Sequence, residues 1–168
     1  MKLVVLSDTH MLRMAKKLPE RLILELKDAD AIIHAGDWME MSVWDMLQAY
    51  APTDGVAGNN DGQAIIAKFG YRKVMQFGGV RIGVVHGHGS RGREGTETTA
   101  FHAFARDEVD VIIFGHSHVP LLKRRDGILL FNPGSPTDKR RQPLYSFGIL
   151  RIEGSNLSAE HIRYENKG

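Results

Sequence analysis

The sequence predicts an α/β fold: two packed β-sheets with helices on their outer faces. Three observations point there. In the first half, short apolar runs ending in polar, often Gly-flanked residues alternate with segments of helical periodicity. In the second half the apolar runs lie closer together and are separated by Gly-Gly, Asp-Gly and Gly-Ser, the punctuation of hairpins. The length of 168 residues allows a buried core without staples, and the chain reads as one domain over 1–168.

Each element has its own reason. Residues 2–6 (Lys-Leu-Val-Val-Leu) run into Ser7-Asp8, and residues 31–35 (Ala-Ile-Ile-His-Ala) run into Gly36-Asp37, so both read as buried strands. Between them Leu18, Leu22 and Leu26 recur at helical spacing with Ile23 and Leu24, and Pro19 suits a first turn. Residues 19–27 are therefore a crossover helix in a βαβ unit. Residues 40–50 repeat the helical pattern through Met41, Trp44, Leu47 and Gln48, and residues 54–57 make a brief strand ending in Gly58-Asn59-Asn60-Asp61. Residues 73–77 and 80–86 form a hairpin across Gly78-Gly79. Residues 96–106, carrying Ala100, Phe101, Phe104 and Ala105, form a helix that leads to a buried strand at 109–114. Short strands follow at 121–124, 128–131, 146–152 and 158–164.

Composition excludes several classes. Hydrophobic residues at 42% and charged residues at 25% belong to a globular protein, against intrinsic disorder or a membrane-embedded body. Met1-Lys2 leads straight into Leu3 to Leu6 without an extended apolar region or cleavage site, so no signal peptide is read and a cytoplasmic location is expected. With no cysteine, disulfides, thiol nucleophiles, zinc-thiolate sites and iron-sulfur clusters are excluded. Any metal site must draw on His, Asp, Glu or Asn. A net charge of +2 gives no general footprint for nucleic acid or membrane.

The chemistry lies at strand ends. Asp8-Thr9-His10, Gly36-Asp37, Gly58-Asn59-Asn60-Asp61, His86-Gly87-His88 and Gly115-His116-Ser117-His118 each follow a predicted strand, at the edge where α/β sheets gather ligand sites. No nucleophile elbow, P-loop or dinucleotide fingerprint is among them. Imidazole, carboxylate and amide oxygen suit a hard or borderline divalent ion. There are too many donors for one tetrahedral ion, and seven suit two ions about 3.5 to 4 Å apart that share a carboxylate. In Asp8-x-His10 and His116-x-His118, residues two apart can point to one side of an extended or turning backbone.

In their order, D-x-H, G-D, G-N-x-D, G-H-type and G-H-x-H, these motifs resemble the calcineurin-like metallophosphoesterase superfamily over about the first 135 residues. Asn132-Pro133-Gly134-Ser135 after the last motif looks most like the small bacterial and archaeal YfcE-like phosphodiesterase branch. The resemblance implies a four-layer αββα sandwich of two mixed sheets, the metallo-dependent phosphatase fold. It implies that Asp8, His10, Asp37 and His118 hold one ion, and that Asp37 bridges to a second completed by Asn59, His86 and His116. Manganese is the leading expectation, with nickel, zinc, iron and cobalt as alternatives. Two such ions would acidify a bridging water and supply hydroxide for in-line attack on phosphorus. The expected catalytic set is Asp37, Asn59, Asn60 and His88. Many relatives have histidine where this chain has Asn60, and an amide is no general acid. Either His88 or water replaces it, or the leaving group needs little protonation. The expectation is thus a phosphodiesterase, with Asn60 donating to a phosphate oxygen.

The competing class is a noncatalytic scaffold such as the retromer subunit that resembles this family. A nuclease is the weaker third reading. The expected partner is a small phosphodiester, not a membrane or nucleic acid, and homo-oligomerisation is left open. Asp61 is expected to brace its loop, and His34, His102 and His161 to be structural. Trp38, Trp44, Met39, Met41 and Met46 are expected in core or dimer packing rather than along an opening beside Asp37. The basic clusters at 123–125 and 139–141 are expected at solvated hairpin tips rather than on a substrate.

Overall fold

The computed structural model describes residues 1–89 and 92–168. The first βαβ units run β1 (Lys2–Leu6), α1 (Glu20–Leu26), β2 (Ala31–His34), α2 (Ser42–Gln48) and β3 (Thr53–Gly55). Then come α3 (Gln63–Phe69), β4 (Arg72–Phe77), β5 (Val80–Val85), α4 (Gly92–Ala103) and β6 (Val111–Ile113). The chain closes with β7 (Leu121–Arg125), β8 (Ile128–Asn132), β9 (Tyr145–Glu153) and β10 (Asn156–Tyr164). Two five-stranded mixed sheets result, ordered β10-β9-β1-β2-β3 and β4-β5-β6-β8-β7.

The alternation of side chains along the strands builds four layers. In β1, Val4 and Leu6 pack with Ile32 and Phe147 against Leu22, Leu26, Val43, Leu47, Ile65 and Phe69 of the three helices on that face. Leu3 and Val5 point the other way, and meet Ile82, Val84, Val111, Ile113 and Phe131 of the second sheet. On that sheet's outer face Val85, Ile112 and Leu130 pack with Ala100 and Phe104. Both faces of the central strands are therefore buried, which is why their sequences read as unbroken apolar runs. This is the expected αββα sandwich.

Local differences have local causes. The helix α3 is absent from the sequence reading; it has only seven residues, with Ile65 and Phe69 as its buried contacts, too short for a periodic signal. The fourth helix lies earlier than the expected 96–106. After Ala103 the backbone tightens into three-residue turns, Phe104 N–H to Phe101 C=O, Ala105 to His102 and Asp107 to Phe104. Phe104 stays fully in the core all the same. No described helix is long and apolar enough to cross a membrane.

Position follows from strand direction. β1, β2 and β3 run parallel, as do β5, β6 and β8. Their carboxyl ends bring the loops after β1, β2, β3, β5, β6 and β8 to one edge of the sandwich.

Candidate metal centre

Two tight groups of ligand atoms stand at that edge. Asp8, His10 and His118 form one, and Asp8, Asp37 and His86 the other, each with its donor atoms within 4.8 Å of one another. Asp8 belongs to both. Asp37 lies between the histidines as well, since its Oδ2 is 3.2 Å from His10 Nε2 and 3.4 Å from His86 Nε2. Asp8 Oδ1 is 3.5 Å from both His86 Nε2 and His118 Nε2.

Each side chain is aimed by a neighbour. Ser7 Oγ–H and the His116 amide donate to Asp8 Oδ2 at 2.8 and 2.9 Å, which leaves Oδ1 turned into the cluster. His86 Nδ1–H donates to Ala35 C=O at 2.8 Å, and His118 Nδ1–H to Asp138 C=O, so both present Nε2 to the carboxylates. His10 Nδ1 is 3.4 Å from the Asp138 carboxylate. The Asn60 amide N–H and its side-chain Nδ2 donate to the two oxygens of Asp37 at 2.9 and 2.8 Å. Asp61 accepts from the amides of Asp37, Met39 and Gly58, each at 2.8 Å, and braces the loop as expected.

Two glycines are required by close approach. A Cβ on Gly58 would lie 2.1 Å from Asp37 Oδ1, and one on Gly115 would lie 1.8 Å from Ser7 Oγ and 2.6 Å from Asp8 Oδ2. Both motifs keep glycine because a carboxylate occupies the space a side chain would need.

Electrostatics mark the cluster as a cation site. Burial raises the Asp8 carboxyl, but the charge of His86 and the neighbouring His10 and His118 hold it at about 2. Burial likewise opposes ionisation of Asp37, and His10 and His86 overcome it, pushing it far below the carboxylate range. Against the pull of burial, the same carboxylates raise His10 and His86 to about 9. A divalent cation supplies that positive charge while leaving the imidazoles neutral and free to coordinate. Asp8 Oδ1, His86 Nε2 and His118 Nε2 are buried without a hydrogen-bond partner, as donor atoms reserved for a metal would be. The residues present therefore fit a metal ion.

The remaining expected ligands sit at the margin. His116 is half-buried with its ring 5.2 Å from that of His86. Asn59 is exposed and enters no hydrogen bond among the described residues, whereas its neighbour Asn60 faces Asp37. His88 is half-buried, 5.6 Å from His86 and 5.7 Å from Tyr71, ring to ring, with Nδ1 buried and unpartnered. Burial and then the charge on His86 lower its pKa. A cleft of about 350 Å3 opens beside His10, Asn60 and Asp138. A roomier groove of about 570 Å3 at the opposite edge, beside Met1, Lys2, Asp30 and Arg151, holds none of the motif residues.

His34 and His161 are structural, whereas His102 is exposed on the last turn of α4. His34 is fully buried and stacked on Trp38 at 3.9 Å; it accepts from the Gly36 amide at Nδ1, so Nε2–H donates to Thr9 Oγ1 at 3.1 Å. Burial lowers it to about 3, which keeps it neutral. His161 Nε2–H donates to Asn132 C=O at 2.7 Å. Trp38 lies in the core between His34 and Phe69, not along an opening, while Met39 lines the cleft.

What the sequence reading missed is the support from the loop after β8. Ser135 Oγ–H donates to Asp8 C=O at 2.8 Å, Thr137 Oγ1–H donates to Thr9 C=O, and Asp138 steadies His10 and His118. Asn132-Pro133-Gly134-Ser135 was the one signal toward this loop; nothing in the spacing points on to Asp138.

Layers and cluster together define an α/β sandwich that carries, at one edge, Asp and His groups able to hold a metal. The chain belongs to the calcineurin-like phosphoesterase superfamily, whose domain matches residues 1–155. It is 33% identical over 159 residues to a probable metallophosphoesterase of Methanothermobacter thermautotrophicus, covering 95% of this chain and 90% of that protein. It is 35% identical over 162 residues to another from Methanocaldococcus jannaschii, covering 96% and 80%. A phosphodiesterase of Methanocaldococcus jannaschii is 25% identical over 150 residues, covering 80% and 83%. Among solved structures, Vps29 of Chaetomium thermophilum shares the fold with a TM-score of 0.77 at 18% identity, covering 99% of both chains. An archaeal phosphodiesterase shares it with a TM-score of 0.72 at 22% identity, covering 96% of this chain and 100% of that one.

Proposed function

We propose that this phosphoesterase-family chain is a phosphodiesterase with a dinuclear divalent-metal centre. The proposed ligands are Asp8, His10, Asp37 and His118 for one ion, with Asp37 shared and Asn59, His86 and His116 completing the other. The observation that carries the reading is the convergence of the buried, unpartnered atoms Asp8 Oδ1, His86 Nε2 and His118 Nε2 beside Asp37. Manganese is the proposed occupant, and nickel, zinc, iron and cobalt accept the same donors. When bound, the ions would acidify a water and oppose charge on the phosphoryl oxygens.

The chain's own residues set the substrate. Asn60 holds Asp37 with one amide N–H and keeps a second to donate to a nonbridging phosphate oxygen. It has no proton to give a leaving group. Burial holds His88 toward its neutral form, so it serves as a hydrogen-bond partner at the rim rather than as a protonated general acid. A site without a protonated general acid favours a diester whose leaving group departs with little protonation. The phosphodiesterases among the similar proteins support the same class.

The test is hydrolysis of bis-p-nitrophenyl phosphate against p-nitrophenyl phosphate after metal stripping and reloading with manganese, nickel or zinc. Metal-dependent cleavage that favours the diester, abolished in Asp37→Ala, is the expected result. Faster cleavage of the monoester overturns the diesterase reading. Metal binding without turnover on either ester supports the scaffold reading instead.

A further inference from the structure

The basic triplet Lys139-Arg140-Arg141 is not a solvated hairpin tip. It sits in the connection between β8 and β9, directly after Ser135, Thr137 and Asp138, the residues that tie this connection to Asp8, Thr9, His10 and His118. Arg140 takes a left-handed backbone, with φ of 50°, and lines the cleft of about 350 Å3 beside the metal cluster. Arg13, from the loop after β1, lines the same cleft, together with His10 and Asn60. Two loops that each steady or supply a ligand thus each present a guanidinium to one opening.

Both guanidinium groups are open to a ligand. Arg13 is exposed and has no ion-pair or hydrogen-bond partner among the described residues. Arg140 is exposed, and its Nε is 3.8 Å from Asp138 Oδ2, a carboxylate oxygen that also lies 3.4 Å from His10 Nδ1. The cleft falls in the size range of small-ligand sites. A guanidinium fork matches the oxygens of a phosphate group and pairs with them in a bidentate way.

From this cleft we infer that the substrate carries a second anionic group, a terminal phosphate, which Arg13 and Arg140 bind while the scissile diester lies at the metal cluster. The inference rests on the phosphodiesterase reading for its reacting end, and on the arginines alone for its other end. Being exposed, these charges act within about a Debye length and weaken as salt is added.

The experiment compares two esters with the same scissile bond and leaving group: thymidine 5′-(p-nitrophenyl phosphate), with and without a 3′-phosphate. With manganese-loaded protein at low salt, kcat/KM is expected to favour the 3′-phosphorylated ester by about tenfold. In Arg13→Gln/Arg140→Gln the ratio of the two values should fall to about one, and added salt should shrink it in the wild type. A ratio near one in the wild type, or one untouched by the double substitution, overturns the inference. Calorimetric binding of thymidine 3′,5′-bisphosphate against thymidine 5′-monophosphate separates the two claims. If neither ester is cleaved yet the bisphosphate binds more tightly in an arginine-dependent manner, the anion cleft stands and the phosphodiesterase reading falls. If both esters are cleaved without preference and the two nucleotides bind alike, the reading stands and the cleft falls.

Discussion

At the hairpin turns remote from the metal cluster, left-handed backbone falls mainly on residues without a side chain: Gly78 at φ 58°, Gly127 at 81° and Gly154 at 65°. In the loops of the cluster it falls on Gly36 (104°) and Gly87 (92°) but also on Asp8 (57°), His10 (45°), Asp37 (61°), Met39 (81°), His116 (70°) and His118 (62°). The conformation costs an L-residue about 1 to 2 kcal/mol, and glycine is spared it. At a turn the side chain is dispensable, so glycine relieves the strain. In the cluster five of those six side chains belong to proposed ligands, and the strain is kept. Among the glycines that do occur there, Gly58 and Gly115 leave room for a carboxylate rather than relieving a turn.

Several substitutions can break or sharpen that contrast. Asp37→Ala removes the carboxylate between His10 and His86, and turnover should fall by about a thousandfold or more in a diesterase assay. Gly58→Ala places a methyl group 2.1 Å from Asp37 Oδ1, so activity should drop about a hundredfold while the circular dichroism spectrum keeps its α/β character. At the remote turn, Gly154→Ala meets nothing within 4 Å; urea unfolding should register only about 1 kcal/mol for the left-handed backbone, with turnover unchanged. Equal losses of activity at Gly58 and Gly154 would dissolve the comparison.

Support for the ligands can be separated from the ligands themselves. Asp138→Ala leaves every proposed ligand in place but removes the carboxylate beside His10, and metal affinity should weaken about tenfold to a hundredfold in a chelator competition titration. An unchanged affinity would reduce this loop to packing.

The buried histidine of β2 gives a pH test. His34 is held neutral, with its pKa lowered by burial to about 3 against an ordinary 6.5. Between those values the unfolded chain binds a proton that the folded chain does not, so the stabilisation is complete above pH 6.5 and is lost as pH falls. Lowering the pH from 7.5 to 5 should cost the wild type about 2 kcal/mol more than His34→Gln. Urea titrations of both proteins at the two values check this, and parallel losses would contradict it.

Much of this architecture was legible because burial writes itself into the sequence. Leu3 to Leu6 and Ile112 with Ile113 are apolar on both faces of a strand, and no exposed strand needs that pattern. The polar residues after those strands stand out against such runs, which is how Asp8, His10, Asp37, His86 and His118 could be singled out. The helix at Gln63–Phe69 left no comparable trace, because two buried residues in seven do not make a period. Asp138 left none either. Its backbone carbonyl holds His118, and any residue offers a carbonyl.

By itself the sequence determined the layered α/β class, the absence of thiol chemistry, the family, and Asp8, His10, Asp37, His86 and His118 as residues able to meet a divalent metal. All of these depend on residue type and on spacing along the chain. Only the tertiary structure decided that Asp8 belongs to both ligand groups, that Asn60 rather than Asn59 grips Asp37, that Asp61 braces three amides and that Arg13 and Arg140 share one cleft. Those facts join loops that are remote in the chain, and their distances are set by how two sheets pack on a common core rather than by any local pattern.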